Sequence, residues 1–417
     1  MKQLSYWILG ILSLFMAACD SSGSSSTTTV KNGTWRATLI RDGHTLPFLL
    51  DIEANSDGKT YSAYALNGTE RFKMDTAYVE NDSLHIPMDL YDSELIGKIG
   101  EDRLTGVWRE SRPGRAPGEL PFEAVYGQEY RFFEPGISES SATVGGKWAV
   151  TFRSEDPEDS YEAVGIFAQE GAELTGTFLT PTGDYRYLAG NVKGDSVYLS
   201  CFDGSHVFLF TAALQADGSL NGEAFYGLTG YETWTARPDA DAKLPDANTL
   251  TYLKPGYDSF DFEFPNADGN MVSLQDPVFK DKVVVVQIMG SWCPNCMDET
   301  RFLAPWYKKN RDRGVEIVGL AFERSDKLED SAPKLRKMSQ RYDVYYPILL
   351  AGLSDKDSAA TSLPMLNHIM SFPTTIILDK KHNVRNIHTG FSGPGTGKYY
   401  DEFVADFNRL VDKLVEE

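Results

Sequence analysis

The chain has 417 residues and carries 60 acidic against 40 basic side chains, for a formal net charge of −20. A nucleic-acid backbone would repel so acidic a surface, which excludes nucleic acid as a partner. The length predicts about three domains. A hydrophobic content of 41% and an aromatic content of 12% are typical of globular domains rather than disordered chains. Four cysteines are too few for a fold held together by disulfides.

The first 18 residues have the pattern of a signal peptide, with Lys2 as a positive start and an apolar core over 4–18. This segment ends in Leu14-Phe-Met-Ala-Ala-Cys19, where small residues precede a cysteine. The pattern resembles a bacterial lipoprotein cleavage site, which makes Cys19 the lipidated N-terminus. A transmembrane anchor would need a longer apolar span. Residues 19–33 then form a flexible tether, and we expect the rest of the chain to be exported and attached to a membrane.

An internal repeat occupies residues 34–135 and 145–238, which predicts two β-rich copies produced by duplication. Four blocks recur in the same order at an offset of 113 to 116 positions. The matched pairs are Gly33-Thr-Trp35 with Gly146-Lys-Trp148, Gly68-Thr-Glu-Arg71-Phe72 with Gly183-Asp-Tyr-Arg186-Tyr187, Asp82-Ser-Leu84 with Asp195-Ser-Val197, and Leu104-Thr-Gly106 with Leu220-Asn-Gly222.

Each copy contains short runs of alternating polarity, such as Val197-Tyr-Leu-Ser-Cys201, separated by turns such as Asn55-Ser-Asp-Gly58. This pattern predicts an antiparallel meander closed into a small barrel or sandwich. It leaves open whether the copies form two barrels or one larger one. Cys201 shares a face with Val197 and Leu199, so we expect a buried small hydrophobe rather than a third redox thiol.

Several repeated side chains could mark either a binding feature or ordinary structure. For Arg71 and Arg186 the alternatives are a ligand site and cross-strand ion pairs with the abundant acids, and the ion pairs are favoured. We expect Trp35, Trp148 and Trp234 to belong to the core rather than to a ligand-binding surface.

After a polar linker at 239–250, residues 251–417 form a domain organised around a pair of cysteines. The β-branched run Val283–Ile288 contains no Gly or Pro, which predicts a strand buried on both faces. Trp292-Cys-Pro-Asn-Cys296 follows and opens onto a predicted helix. Helix N–H groups lower the pKa of a thiol at the helix start, and a second thiol one turn further can attack the resulting mixed disulfide. Cys293 is therefore the predicted nucleophile and Cys296 the predicted resolving thiol.

The alternatives for this pair are half of a zinc site and a structural disulfide. Zinc needs four ligands, and the sequence has no second CxxC motif and no paired histidine spacing among its six histidines. A bridge that closes so short a loop restrains the unfolded chain very little. We therefore expect a redox disulfide between Cys293 and Cys296, with no metal and no cofactor.

A second motif extends this interpretation, because Ser371-Phe-Pro-Thr-Thr375 precedes the apolar run Ile376–Leu378. Together with Trp292–Cys296 after a valine-rich strand, it resembles the thioredoxin fold, and in particular the TlpA/ResA-like thiol-disulfide oxidoreductases. The resemblance implies that Pro373 is a cis-proline beside the sulfurs. It makes the following residues neighbours of the active site: Trp292, Pro294, Asn295, Phe372, Pro373 and Thr374.

Glu299 matches the acidic position of this branch. The role implied by the resemblance is to tune the thiol pKa values and to move protons during exchange. Classical thioredoxins carry a buried aspartate on the preceding strand, where this chain has Gln287. The alternative is an ordinary carboxylate favoured by the helix dipole.

The remaining elements of the domain follow from local patterns. They are a hairpin of Phe260–Phe264 and Met271–Leu274, strands at Val315–Ala321, Tyr346–Leu350 and Val384–Gly390, and helices at Ala332–Tyr342, Leu363–Met370 and Tyr400–Val415. The fold class is thus a duplicated all-β region followed by an α/β thioredoxin-like domain.

Three functions are compatible with this sequence. The favoured one is a cell-envelope thiol-disulfide oxidoreductase that reduces cysteines of exported proteins and is kept reduced by a membrane electron donor. A thiol peroxidase would need Thr and Pro before its cysteine, where this chain has Gly290, Ser291 and Trp292. The third is a ligand- or partner-binding lipoprotein in which the β region is primary.

Overall fold

The structure is a computed structural model that describes residues 29–134, 136, 142–257 and 259–417. The predicted signal peptide, Cys19 and most of the predicted tether lie outside the described residues. Within the described part of the chain, no helix is both long enough and apolar enough to cross a membrane.

The first repeat forms a closed antiparallel barrel. Its strands are β1 (Gly33–Arg41), β2 (His44–Ala54), β3 (Thr60–Asn67), β4 (Glu70–Lys73), β5 (Ala77–Glu80), β6 (Ser83–Met88), β7 (Ser93–Ile99), β8 (Arg103–Glu110) and β9 (Gly118–Tyr126). The strand order is β2-β1-β9-β8-β7-β6-β5-β3, and pairing of β2 with β3 closes the ring of eight strands. The short β4 lies outside the ring on β3. Buried and half-buried residues alternate strictly along β3, as a barrel wall requires.

The second repeat has the same topology. Its strands are β10 (Gly146–Arg153), β11 (Tyr161–Glu170), β12 (Glu173–Thr180), β13 (Gly183–Asp184), β14 (Leu188–Lys193), β15 (Ser196–Phe202), β16 (Val207–Leu214), β17 (Leu220–Tyr226) and β18 (Gly230–Pro238). Pairing of β11 with β12 closes eight strands, and β13 takes the place of β4. The predicted duplication is confirmed, and the two copies form two separate barrels rather than one larger barrel.

The recurring Leu-x-Gly block has a steric cause. A Cβ atom at Gly106 would lie 1.9 Å from the carbonyl oxygen of Ile96, and one at Gly222 would lie 2.2 Å from that of Thr211. Only glycine lets the neighbouring strands approach this closely. The block therefore marks the same tight position in each barrel wall.

Aromatic side chains fill the interior of the second barrel. The Phe178 ring lies 5.2 Å from that of Phe152 and 5.4 Å from that of Trp234, measured between ring centroids. Trp148 and Trp234 are buried, and Cys201 is fully buried and free. These side chains form a packed core, as expected for the tryptophans and for Cys201.

The C-terminal domain has a five-stranded sheet flanked by helices. Its strands are β19 (Glu263–Pro265), β20 (Met271–Ser273), β21 (Val283–Met289), β22 (Val315–Glu323), β23 (Ile348–Leu353), β24 (Thr374–Leu378) and β25 (Val384–Thr389), and its helices are α1 (Pro294–Asn310), α2 (Leu328–Tyr342), α3 (Lys356–Ser362) and α4 (Lys398–Glu416). The sheet order is β23-β22-β21-β24-β25, and β19 with β20 forms the separate predicted hairpin. Strand β21 is central and buried at every position, as predicted. The predicted α/β domain is confirmed.

The predicted helix over Leu363–Met370 is wrong. Helix α3 ends at Ser362, and Leu363 has φ −125° and ψ 68°. Pro364 disfavours the helical conformation in the residue before it. Leu363, Leu366 and Ile369 are nevertheless buried. They lie in a turn that packs against the core, and Leu366 forms a β-bridge with Leu253.

Ion pairs fix the first barrel against the C-terminal domain. Asp92 of this barrel accepts from Arg324 Nη1 at 2.5 Å and also pairs with Lys334 of α2. Asp75 pairs with Arg341 of α2 at 3.2 Å. These contacts bring the first barrel close to the end of β22, beside the cysteine motif.

Candidate active site

The two sulfurs lie at the start of α1, directly after the buried strand β21. Cys293 caps the helix, because its Sγ accepts a hydrogen bond from the Cys296 amide at 3.1 Å. The two side chains form a disulfide, with their Cα atoms 5.2 Å apart. Cys293 is 5% exposed and Cys296 is fully buried. The amide groups at a helix N-terminus stabilise negative charge on a sulfur placed there. Of the two sulfur-bearing residues, only Cys293 has any exposed surface to offer a partner.

The Phe372–Pro373 peptide bond is cis and faces this helix start. The Phe372 carbonyl oxygen lies 3.4 Å from Cys293 Sγ. The Trp292 ring packs edge-on against the Phe372 ring at 5.7 Å. Thr374 is adjacent, but its hydroxyl donates to the Ser371 carbonyl at 2.9 Å and closes the turn instead of facing the sulfurs. The structure thus brings Trp292, Phe372 and Pro373 together around Cys293.

Glu299 is fully buried behind Cys296. Its carboxyl group accepts hydrogen bonds from Gln287 Nε2 at 2.9 Å and from the Thr375 hydroxyl at 2.5 Å. The same Gln287 amide lies 3.3 Å from the Cys296 carbonyl oxygen, which ties the carboxyl group to the resolving cysteine. Burial raises the pKa of Glu299 to about 7. A group with this pKa can both take and give a proton near neutral pH.

Thr375 was not among the predicted site residues, although the sequence carried a signal for it. Thr375 stands directly opposite Gln287 in the antiparallel pairing of β21 with β24. Their side chains therefore point to the same face of the sheet. Since Gln287 was already assigned to the position behind the cysteines, the register would have placed the Thr375 hydroxyl there too.

A second buried carboxyl group, Glu323, was also missed. It lies at the end of β22, is 2% exposed, and accepts hydrogen bonds from the Ser291 amide and hydroxyl, both at 2.7 Å. Burial raises the pKa of Glu323. This carboxyl group holds the turn that carries Trp292 into position, and Trp292 Nε1 donates to the Phe322 carbonyl at 2.9 Å.

Comparison with known proteins finds relatives of the C-terminal domain. The Redoxin family profile matches residues 240–402. Thioredoxin-like protein YneN of Bacillus subtilis is 30% identical over 138 residues, which span 33% of this chain and 73% of YneN. The chain belongs to the TlpA/ResA-like thiol-disulfide oxidoreductases. Thiol-disulfide oxidoreductase ResA of Bacillus subtilis is 25% identical over 138 residues, covering 33% of this chain and 69% of ResA. Among solved structures, a thioredoxin-family thiol:disulfide interchange protein from Chlorobium tepidum is 20% identical, with a TM-score of 0.29 and coverage of 42% of this chain and 99% of that protein.

In this TlpA/ResA-like oxidoreductase, the second barrel touches the active site directly. Asn295, between the two cysteines, donates from Nδ2 to the Asp184 carbonyl at 2.9 Å. Ser371, two residues before the cis-proline, donates from its hydroxyl to the Thr182 carbonyl at 2.5 Å. The Asp184 carboxylate accepts from the Gly393 amide at 2.6 Å. The sequence carried no signal for these contacts.

Arg186 extends the same contact to the cysteine-bearing helix. It is 1% exposed and reaches Asp298 of α1 at 2.7 Å, Asp203 of its own barrel at 2.6 Å, and Glu70 of the first barrel at 2.5 Å. Burial works to lower the pKa of Arg186, but these three carboxylates raise it well above its ordinary value. Arg186 therefore remains charged at the junction of all three domains.

Its counterpart Arg71 behaves differently. Arg71 is 43% exposed and pairs with Asp51 at 2.7 Å and Glu53 at 2.6 Å, both on β2 of its own barrel. The predicted cross-strand ion pair is confirmed for Arg71. For Arg186 the predicted pairing with acidic side chains is confirmed. The expected cross-strand arrangement is wrong, because two of its three partners lie in other domains.

Proposed function

We propose that this protein is a cell-envelope thiol-disulfide oxidoreductase that reduces disulfides of exported proteins. The observation that carries the proposal is the Cys293–Cys296 pair at the start of α1, facing the cis Phe372–Pro373 bond with Glu299 buried behind it. This arrangement leaves Cys293 slightly exposed and Cys296 fully buried. Such an order of access suits one attacking and one resolving thiol.

The exchange proceeds in two steps. The Cys293 thiolate attacks one sulfur of a substrate disulfide, which forms a mixed disulfide and releases one substrate thiolate to take up a proton. Cys296 then loses its proton and attacks Cys293 Sγ. This step releases the second substrate thiol and leaves the Cys293–Cys296 disulfide. Two electrons have passed from the protein to the substrate, and a membrane electron donor restores the dithiol.

Glu299 serves the second step as the proton acceptor. Its pKa of about 7 allows it to take the Cys296 proton at neutral pH and to return it when the dithiol is restored. Gln287 holds the carboxyl group in place through its contacts with both Glu299 and the Cys296 carbonyl.

The reducing direction is supported by Asn295. A neutral amide stabilises the Cys293 thiolate less than a protonated histidine would, which favours a less oxidising couple than that of DsbA. The Asn295 amide is, moreover, engaged with the Asp184 carbonyl. A midpoint potential near the DsbA value, about −120 mV, would remove this part of the proposal.

Attachment to the envelope is supported by the signal-peptide pattern of residues 1–18 and by the lipoprotein-like sequence Leu14–Cys19. Lipid on Cys19 and the tether at 19–33 would hold the C-terminal domain in the periplasm. Metabolic labelling with a fatty acid tests this directly. The wild-type chain should incorporate label and sediment with membranes, whereas Cys19→Ser should do neither.

Trapping of substrates tests the activity. In the full-length Cys296→Ala variant, attack by Cys293 leaves the mixed disulfide unresolved, so exported proteins should be recovered covalently bound and released by reductant. The Cys293→Ala/Cys296→Ala double variant is the control and should trap nothing. Equal recovery from both variants would contradict the proposal.

The structure favours neither of the other two functions. The residues before Cys293 are Gly290, Ser291 and Trp292, without the Thr and Pro of a peroxidase. The interior of the second barrel is filled by rings such as Phe178 and Trp234 rather than open to a ligand.

A further inference from the structure

One segment of the second barrel, Pro181–Arg186, contacts both the cysteine motif and the cis-proline turn. Its Asp184 carbonyl accepts from Asn295 of the cysteine motif, and its Thr182 carbonyl accepts from Ser371 of the cis-proline turn. Pro181 and Thr182 form the tight turn between β12 and β13, in which Thr180 pairs with Gly183. The main chain of this hairpin turn therefore contacts both the cysteine motif and the cis-proline turn.

The contact is close enough to exclude other chains. A Cβ atom at Gly183 would lie 3.1 Å from Asn295 Nδ2, and one at Gly390 would lie 2.9 Å from the Thr182 carbonyl carbon. Both glycines have positive φ, +141° and +78°. The main chain of Gly390 thus packs on that of Thr182, and the main chain of Gly183 packs on the Asn295 side chain, so that a side chain at either glycine would be crowded.

The first barrel limits access from another direction. The Arg324 guanidinium lies 5.8 Å from the centre of the Trp292 ring and is held by Asp92 of that barrel at 2.5 Å. Pro294 is buried, and only 5% of Cys293 is exposed. The nucleophile is therefore recessed between two barrels.

Buried charges hold the segment in place. The Asp184 carboxylate accepts from the Arg186 amide at 2.5 Å and from the Gly393 amide at 2.6 Å. The buried Arg186 side chain is fixed by Asp298 of the cysteine-bearing helix. Charges this deeply buried are tolerated only with well-placed partners. Displacing the segment would break these ion pairs and hydrogen bonds or expose them to solvent. The segment is therefore held rigidly against the redox site.

Among the described residues, the equivalent segment of the first barrel contributes Glu70 to the Arg186 ion pairs but makes no hydrogen bond to the cysteine motif or the cis-proline turn. Gly68–Arg71 matches Gly183–Arg186 in the repeat, yet Gly68 lies near Thr175 of the second barrel and Arg71 is exposed. Docking against the redox site is therefore a feature of the second copy and not a general property of the repeat.

We propose that the Pro181–Arg186 segment determines which disulfides this oxidoreductase reduces: it admits a disulfide on a narrow, flexible peptide segment and excludes one held on the surface of a folded protein. A single extended strand can reach a sulfur recessed between two barrels, whereas a broad folded surface meets the barrels first. The exchange steps are those given above, so the inference rests on the proposed function. It adds the substrate class.

The test compares two substrates of the reduced full-length protein, a short peptide with one intramolecular disulfide and native insulin. Asp184→Ala removes the carboxylate that secures the segment, and Thr69→Ala at the matching position of the first barrel is the control. We expect the ratio of kcat/KM for insulin to kcat/KM for the peptide to rise at least tenfold in Asp184→Ala and to stay within twofold in Thr69→Ala. An unchanged ratio in Asp184→Ala would overturn the proposal.

A second readout does not depend on disulfide exchange. The rates at which iodoacetamide and a 5-kDa polyethylene glycol maleimide label Cys293 report access for a small and a bulky reagent. Asp184→Ala should accelerate the bulky reagent at least tenfold more than the small one, and Ser371→Ala, which loosens the segment from the opposite side, should act in the same direction. Equal acceleration of both reagents, together with a shifted midpoint potential, would mean that the segment acts on the sulfur chemistry and would refute the assignment. If the wild type labels as expected but reduces neither substrate, the proposed function is wrong, but the segment still restricts access to Cys293.

Discussion

Replacing Glu299 by glutamine should change how the free energy of unfolding depends on pH. Glu299→Gln keeps the shape of the side chain and its contacts with Gln287 and Thr375 but removes the titrating group. In the folded protein, burial raises the pKa of Glu299 from 4.5 to about 7. The neutral acid is therefore the favoured buried form. Its contribution to stability is fully present below pH 4.5 and is lost as the pH rises through 7.

The magnitude follows from the size of this shift. One pKa unit corresponds to about 1.4 kcal/mol, so the shift from 4.5 to about 7 corresponds to about 3 kcal/mol. Wild-type protein should lose about this much unfolding free energy between pH 4.5 and pH 8.5 relative to the glutamine variant. At pH 8.5 the variant should be the more stable of the two.

Urea unfolding of both oxidised proteins at several pH values measures the effect. Because the proteins differ only at Glu299, the titration of every other group cancels in the comparison. If the two stability profiles run parallel to within about 1 kcal/mol across this range, Glu299 titrates normally and the proton-transfer role assigned to it fails.

Two further substitutions test the supporting contacts. Arg186→Leu leaves buried carboxylates without their partner and should lower the unfolding free energy by about 3–5 kcal/mol. The matched Arg71→Leu breaks exposed ion pairs and should lower it by less than about 1 kcal/mol. Equal shifts of the two urea midpoints would show that Arg186 does not form the buried junction between the domains. Glu323→Ala removes the acceptor for the Ser291 amide and hydroxyl, which should cost about 1–3 kcal/mol of unfolding free energy and slow the reduction of a short peptide disulfide by displacing Trp292. A variant of unchanged stability and rate would show that this carboxyl group does not support the site.

Local patterns predicted much of the C-terminal domain and of the redox pair. The strand Val283–Met289 was readable because burial on both faces demands a continuous apolar run, and the cysteine motif because its spacing fits the first turn of a helix. The duplication was visible since each copy must satisfy the same steric demands, as at Gly106 and Gly222. The helix expected at Leu363–Met370 does not form, because Pro364 disfavours the helical conformation in Leu363.

Contacts between domains could not be predicted in the same way. Arg186 and Asp298 are 112 positions apart, and Arg186 resembled Arg71 in its local sequence although one is buried at a three-domain junction and the other is exposed. Asn295 contacts the Asp184 main chain, and a main-chain carbonyl leaves no mark in a sequence. The face that a barrel presents to its neighbour depends on packing between domains, and this packing cannot be read from the local pattern of polar and apolar residues.

The central claim is that Cys293 is the sulfur that attacks. Mass spectrometry of single-cysteine variants after reaction with a short peptide disulfide tests it most directly. Cys296→Ala should form a mixed disulfide at Cys293, whereas Cys293→Ala, with Cys296 fully buried, should form essentially none. A mixed disulfide that forms as quickly at Cys296 in the Cys293→Ala variant would contradict it.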